Sequence, residues 1–426
     1  MTERVTEELH PHPSRGWRFA VSSLENPQYR WLYTSNISFF LAMAGQGLVR
    51  SWLAFQITNS ELALGLIGAT VAVPMLLVAP LGGVIADRFE RRNLILGGQG
   101  LIVASEVTVL LLLVADLLEF WHLLAAATVM GCVFPFIMPA RQAIVVDIVG
   151  KRGLPNAMAL NMGGMNATRV VGPAMAGFLI GVLGIAGTYT IGLVLYVIGL
   201  LCMLRVRRST PTWNPETFSI GGSMLDGLRY LRGQRQVAML LVFGLVPMFL
   251  AMPFQTLLVV FATDVWHEGS SGLGTLSALA GMGGVLGSVI LAWRGFSHRR
   301  LRQMMSSVLA FCGFLLLFSV SPYFLLALPL VFIANVFGSI FSTLNNTAIQ
   351  QMIPDDVRGR ISSILMMSFA LPLLGTLPIS ALAELYGARL AVGASSILAL
   401  VVALVLYATS PVLRGMDADL RRAMEE

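Results

Sequence analysis

The chain has 426 residues, 56% of them hydrophobic and 12% charged, with a net charge of +6. That balance excludes a soluble globular domain, because so much apolar surface must be solvated by lipid or by neighbouring helices, and a span needs about 20 apolar residues to cross roughly 30 Å of hydrocarbon. The basic residues are scattered over many short breaks and form no single face, which excludes a nucleic-acid partner and leaves them the task of orienting helices.

Residues 1–29 contain Pro11, Pro13 and mixed charges but no apolar core, so they read as a cytoplasmic segment with no cleaved signal. Apolar stretches follow at 30–57, 62–86, 93–115, 121–144, 156–183 and 187–205, which make a six-helix N-terminal bundle over 30–205. Lipid offers no partner to backbone groups, and runs this long without strict alternation are helices. Residues 206–235 form a cytoplasmic linker with Pro211, Pro215, Gly221 and Gly222, ending in the amphipathic stretch Met224 to Arg232, which has the pattern of a surface helix. A second bundle over 236–410 holds stretches at 236–262, 272–296, 301–320, 323–349, 361–384 and 388–409, and 411–426 is a cytoplasmic tail. The expected fold is an all-α membrane protein with twelve transmembrane helices.

The charges set the sides. Arg88, Arg91 and Arg92, Lys151 and Arg152, Arg205 to Arg235, Arg299 to Arg302, Arg358 and Arg360, and the terminal arginines follow the even-numbered spans. The other breaks hold Glu61, Asp116, Glu119, Asp264 and Glu268, with Arg389 as the exception. Positive loops stay cytoplasmic, which gives an N-in, C-in topology. The halves also echo each other: Arg141 to Val149 resembles Asn346 to Pro354, and Leu64-Gly65 matches Leu273-Gly274. Two six-helix parallel pseudo-repeats around a central pathway are a transporter pattern.

Ionisable groups inside a membrane are expensive and mark function by default. Three stand out: Arg50, Glu106 and Arg169. Helical spacing puts Asn36, Met43, Gln46 and Arg50 on one face, assigned to the central pathway; the alternative is a structural arginine bonded to helix-end carbonyls. Arg169 shares a stripe with Met158, Met162, Met165 and Gly172, a surface suited to an adaptable amphiphile site, or it simply pairs with Glu106. Glu106, with Gln99 on its face, is the acid well inside a span and the leading candidate for proton coupling; a protonated structural glutamate is the alternative. The stripe Asn335, Ser339, Ser342 and Asn346 lines the cavity or bonds neighbouring helices. Pro247, Pro253, Pro372 and Pro378 are bending points, and Cys132, Cys202 and Cys312 read as packing residues. No Walker segment and no His-Glu-x-x-His occurs, and every histidine is terminal or in a break. No enzyme activity, metal, cofactor or ATP drive is expected. Two interior arginines against one acid favour a neutral or anionic substrate over a lipophilic cation.

The strongest local signal is Gly82 to Arg92 at the inside end of the second span, an acid followed by arginines at a membrane surface. Gly83, Asp87, Arg88, Arg91 and Arg92 resemble the loop signature of the major facilitator superfamily, with Glu90 where the family has glycine. The resemblance extends to the span count, the long middle loop and Pro354 to Arg360. The texture of Arg50 to Ala54, Pro139 to Ala143 and Leu154 to Ala157 resembles a bacterial branch that includes enterobactin-type siderophore exporters and macrolide or multidrug efflux proteins. Gly172, Pro173 and Gly177 are similar to the antiporter motif of exporters in that superfamily, with Ala176 and Thr168 departing from it. The resemblance implies the major facilitator fold, a monomer in a bacterial inner membrane, alternating access, protons as coupling ion and export of a small molecule such as a drug, siderophore or secondary metabolite. Proton-coupled uptake and lysophospholipid translocation are the alternatives within transport, and a membrane-embedded enzyme is a remote one.

Overall fold

A computed structural model describes residues 22–208, 234–294, 300–352, 370–411 and 413. The amphipathic stretch of the linker, the arginines from Arg358 to Arg360, most of the first half of the eleventh expected span, and the tail beyond 413 lie outside the described residues. Among the described residues the protein is all helical and has no strand.

A short 3₁₀ turn, Ser22–Glu25, leads into α1, Pro27–Thr58. Asn26 caps α1: its side-chain oxygen accepts from the Gln28 amide at 2.9 Å, and Pro27 fills the first position, where no amide is needed. Asn59 closes the helix in the left-handed region at φ 51°. Then come α2 (Glu61–Arg88), α3 (Arg91–Val114) and α4 (Phe120–Leu204). The last is one 85-residue run broken only where Gly150 (φ 65°) and Gly184 (φ 72°) leave helical geometry, a conformation that glycine adopts without steric cost. Its first segment runs to Gly150 and does not stop at 144, because Val145 to Val149 contain nothing that breaks a helix. After Gly150 the chain re-enters helix with Pro155 in the early turns, where proline is tolerated.

The second part of the chain contains α5 (Arg235–Leu250), α6 (Phe254–Val260) with a π turn at Phe261–Val265, α7 (Gly269–Arg294), α8 (Arg300–Ser319), α9 (Phe324–Met352), α10 (Leu371–Tyr386) and α11 (Ala388–Thr409). The expected bend near Pro253 is present between α5 and α6. Pro253 supplies no amide, and the Pro247 carbonyl accepts from both Ala251 (3.0 Å) and Met252 (2.8 Å). Ten helices among the described residues are long and apolar enough to cross a membrane. One of them, Gly153–Leu204, has 52 residues, about 78 Å at 1.5 Å per residue, more than twice a hydrocarbon core, and Gly184 divides it.

The parts before and after the linker meet along two close seams. In one, α2 lies on α10: a Cβ on Gly65 would sit 2.8 Å from the Ser380 side chain and 2.9 Å from the Leu377 backbone, and Thr376 Oγ1 donates to the Gly65 carbonyl at 3.3 Å. In the other, α4 lies on α7: a Cβ on Gly177 would sit 2.3 Å from the Gly274 Cα. Small residues let helix backbones approach this closely. Both contacts lie toward the end of the bundle that carries Glu61. There Glu384 of α10 accepts from Ser60 Oγ at 2.8 Å and from the Leu62 amide at 3.0 Å, placing a carboxylate on the N-terminus of α2.

Candidate functional site

The interior of the first bundle holds a connected set of polar side chains. Arg50 on α1 donates through Nη2 to Glu106 Oε1 on α3, and Tyr189 in the last segment of α4 donates its hydroxyl to Glu106 Oε2. Glu106 is 1% exposed and Arg50 6%, and Glu106 is the one buried acid among the described residues. Tyr196, two turns beyond Tyr189, is buried with its ring edge-on to Phe39 at 5.5 Å. Gln46, one turn before Arg50, donates to the Tyr189 carbonyl at 2.9 Å. Asn36, Gln46 and Arg50 are thus each held by a polar partner within their own bundle, on α3 or α4, as buried polar groups require. Arg169 is not the partner of Glu106.

A second polar cluster lies nearer the Arg88 end. Arg141 of α4 is 2% exposed. Its Nη1 donates to Asn36 Oδ1, and Asn36 Nδ2 donates to Asn161 Oδ1 at 3.0 Å. The guanidinium lies over the Phe39 ring, 4.6 Å from its centroid, with Phe40 at 5.9 Å. Its Nε and Nη2 have no hydrogen-bond partner, and no ion pair to it occurs among the described residues. Arg169 is exposed, and it too has no ion-pair partner among the described residues. Met162, at 61% exposure, is open, whereas Met165 packs against the first bundle's core.

The loop after α2 is built from ion and dipole contacts. Arg91 Nη1 donates to Asp147 Oδ2 at 2.6 Å, and Arg92 Nη2 donates to the Leu204 carbonyl at 2.7 Å, a cation on a helix C-terminus. Glu90 has φ −60°, which any residue adopts, so the turn has no need of the family's glycine. The Arg88 side chain is exposed, and the side chains of Gly83 and Asp87 lie outside those described. In the middle of α4, Gly172 meets α1, where its Cβ would sit 2.8 Å from the Ala44 side chain and 3.0 Å from the Gly45 amide nitrogen. Pro173 lies inside the helix, and Gly177 forms the seam with α7. In the second bundle Asn335 is buried, donates to the Val331 carbonyl of its own helix at 2.8 Å and accepts from Gln255 Nε2 of α6 at 3.4 Å, while Ser339 bonds Ser288 of α7 at 2.8 Å. That stripe bonds neighbouring helices at these positions; Asn346 is exposed. Among the described residues no three His, Cys, Asp or Glu side chains form a group able to hold a metal ion.

The family model MFS_3, a transmembrane secretion effector, matches residues 19–425. The chain belongs to the MFS_3 family of the major facilitator superfamily. The MFS_3 chain is 23% identical over 363 residues to the staphyloferrin A transporter of Staphylococcus aureus, covering 84% of this chain and 90% of that one. It is 25% identical over 363 residues to the enterobactin exporter EntS of Shigella boydii, covering 82% and 84%. Among solved structures, the nucleoside transporter NupG superimposes with a TM-score of 0.70 at 14% identity, covering 89% of this chain and 98% of that one. A bacterial homologue of the lysosomal transporter Spinster does so at 0.68 and 15%, covering 96% and 99%. The MFS_3 protein is thus a multi-pass membrane transporter of small molecules, in a family that is not one of enzymes.

Sequence reasoning singles out Glu106 and Arg50, which the structure brings together, but not Tyr189 or Arg141 as members of these clusters. The sequence places Arg141 in a repeat at the end of the fourth expected span. The missed signal is that the helix has no breaker before Gly150, which puts Arg141 more than two turns inside it.

Proposed function

We propose that this transporter is a proton-coupled exporter of a small neutral or anionic amphiphile, working by alternating access between bundles 30–205 and 236–410. The observation that carries the reading is Glu106, buried between Arg50 and Tyr189 on three different helical segments. An ionised Glu106 holds all three together. Protonation removes the charge that Arg50 answers and loosens α1 from α3, so one proton changes the packing of the bundle. Export is supported by the partial Gly172-Pro173-Gly177 motif and by two relatives, one named an enterobactin exporter and one a staphyloferrin A transporter. A neutral or anionic cargo is supported by interior charge, since Arg141 and Arg169 have no described acid partner while Glu106 is already held by Arg50.

The arginine distribution supports N-in, C-in insertion in the bacterial inner membrane, with Arg91 and Arg92 cytoplasmic and the Glu384 contact outside. The close seams then lie on the outer side. Met162, Met165, Asn335 and Asn346 are proposed to contact substrate during the cycle, and the protein to act as a monomer.

The test is proton-driven flux in sealed, oriented vesicles with neutral, anionic and cationic amphiphiles. Countermovement of protons with a neutral or anionic compound is expected. Co-directional flux, or preference for a dicationic dye over a carboxylate-bearing analogue, would contradict the reading.

A further inference from the structure

Arg141 stands out among the buried polar groups because of which of its atoms are engaged. A guanidinium offers carboxylates two forks, and one of them is the edge formed by Nε and the Nη beside it. In this protein Nη1 is used by Asn36, and the two atoms without a partner among the described residues are Nε and Nη2, which together form that edge. The Phe39 face at 4.6 Å and the Asn36–Asn161 bond fix the plane of the group, so the fork is pre-oriented. Among the described residues, Glu106 is engaged by Arg50 and Tyr189, and Asp147 by Arg91.

We propose that the Nε–Nη2 edge of Arg141 is the binding site for a carboxylate group of the transported substrate. This rests on the transport reading above and names the chemical class of its cargo: an amphiphile with at least one carboxylate. Asn36 and Asn161 position the guanidinium and link it to the helix face that carries the open Met162. Met162 and Met165 give the apolar body of such a molecule an adaptable surface. Arg169, two turns beyond Asn161 and about 12 Å along the helix, adds a second positive charge to the same helical segment. Because the fork is closed to bulk solvent here, occupancy is coupled to opening of the site, which links substrate binding to the conformational cycle.

The test uses the intact protein in lipid nanodiscs and isosteric acid and amide pairs: benzoate with benzamide, 2-naphthoate with 2-naphthamide, and 1-pyrenebutyrate with its amide. Wild-type protein is expected to bind at least one acid about tenfold or more tightly than its amide, the size of a charge-assisted bidentate contact. Arg141→Gln removes the preference and leaves amide binding within about twofold, and Arg141→Lys restores only part of it, since it supplies charge without the fork. Asn36→Asp keeps the side-chain shape and gives Arg141 an internal carboxylate, so it also abolishes the preference in a folded protein. Retention of the preference in Arg141→Gln and Asn36→Asp, or its absence from wild type for all three pairs, overturns the assignment. Proton-driven flux of the amides in vesicles separates the two claims. Amide flux without acid preference overturns the Arg141 site and leaves transport standing. Acid preference that depends on Arg141, without any proton-driven flux, supports the site and refutes proton-coupled transport.

Discussion

Replacing Gly177 by alanine drives a wedge into the seam between α4 and α7. The added Cβ would lie 2.3 Å from the Gly274 Cα and 2.7 Å from its amide nitrogen, and neither atom belongs to a side chain that can turn away. Carbon atoms rest about 3.5–4.0 Å apart, so the helices must separate by roughly 1.2–1.7 Å. Overpacking of this kind costs about 1–3 kcal/mol. It is paid only in the conformation in which this seam is closed, so the ratio of closed to open protein falls roughly 5- to 150-fold. Gly163 is the control, because a Cβ there meets nothing within 4 Å. Spin labels at Leu183 and Ser271, both exposed at the same end of the seam, report the separation after Cys132, Cys202 and Cys312 are replaced. The distance distribution is expected to move to longer values in Gly177→Ala and to stay put in Gly163→Ala. Superimposable distributions for wild type and Gly177→Ala would refute the argument that close backbone approach holds the seam.

Arg50→Met leaves the Glu106 carboxylate buried with Tyr189 alone and is expected to lower stability by about 3–5 kcal/mol, read as a drop in thermal midpoint; most of the loss returns when Glu106→Gln is added. A single variant as stable as wild type would contradict the pairing. Glu384→Gln keeps an acceptor for Ser60 and Leu62 but removes the charge from the N-terminus of α2. Because the group is exposed, the expected loss is below about 1 kcal/mol and shrinks as salt rises. Breaking the partly exposed Arg91–Asp147 pair with Arg91→Gln is likewise expected to change the unfolding free energy by about 1 kcal/mol or less in urea titrations.

Much of the fold is legible in residue order because lipid allows few solutions: long apolar runs become helices, and glycine at 150 and 184 marks where the chain leaves them. The site is less legible. Intramembrane cost singles out Glu106, yet sequence cannot say whether Arg50 or Arg169 answers it, since that depends on how α1, α3 and α4 are rotated about their axes. The same rotation decides that Gln46 bonds the Tyr189 carbonyl inside its own bundle. Tyr189 carries no sequence signal, because an aromatic near a helix end is common at membrane interfaces. Arg141 was hidden by a boundary placed a few residues early.

The most direct test of the central claim is proton movement against substrate exchange in oriented vesicles, comparing wild type with Glu106→Gln. If Glu106 couples the two, the variant still exchanges substrate across the membrane but no longer moves substrate against its gradient when a proton gradient is imposed. Proton-driven accumulation that survives in Glu106→Gln at the wild-type rate would contradict the account and return Glu106 to a purely structural role.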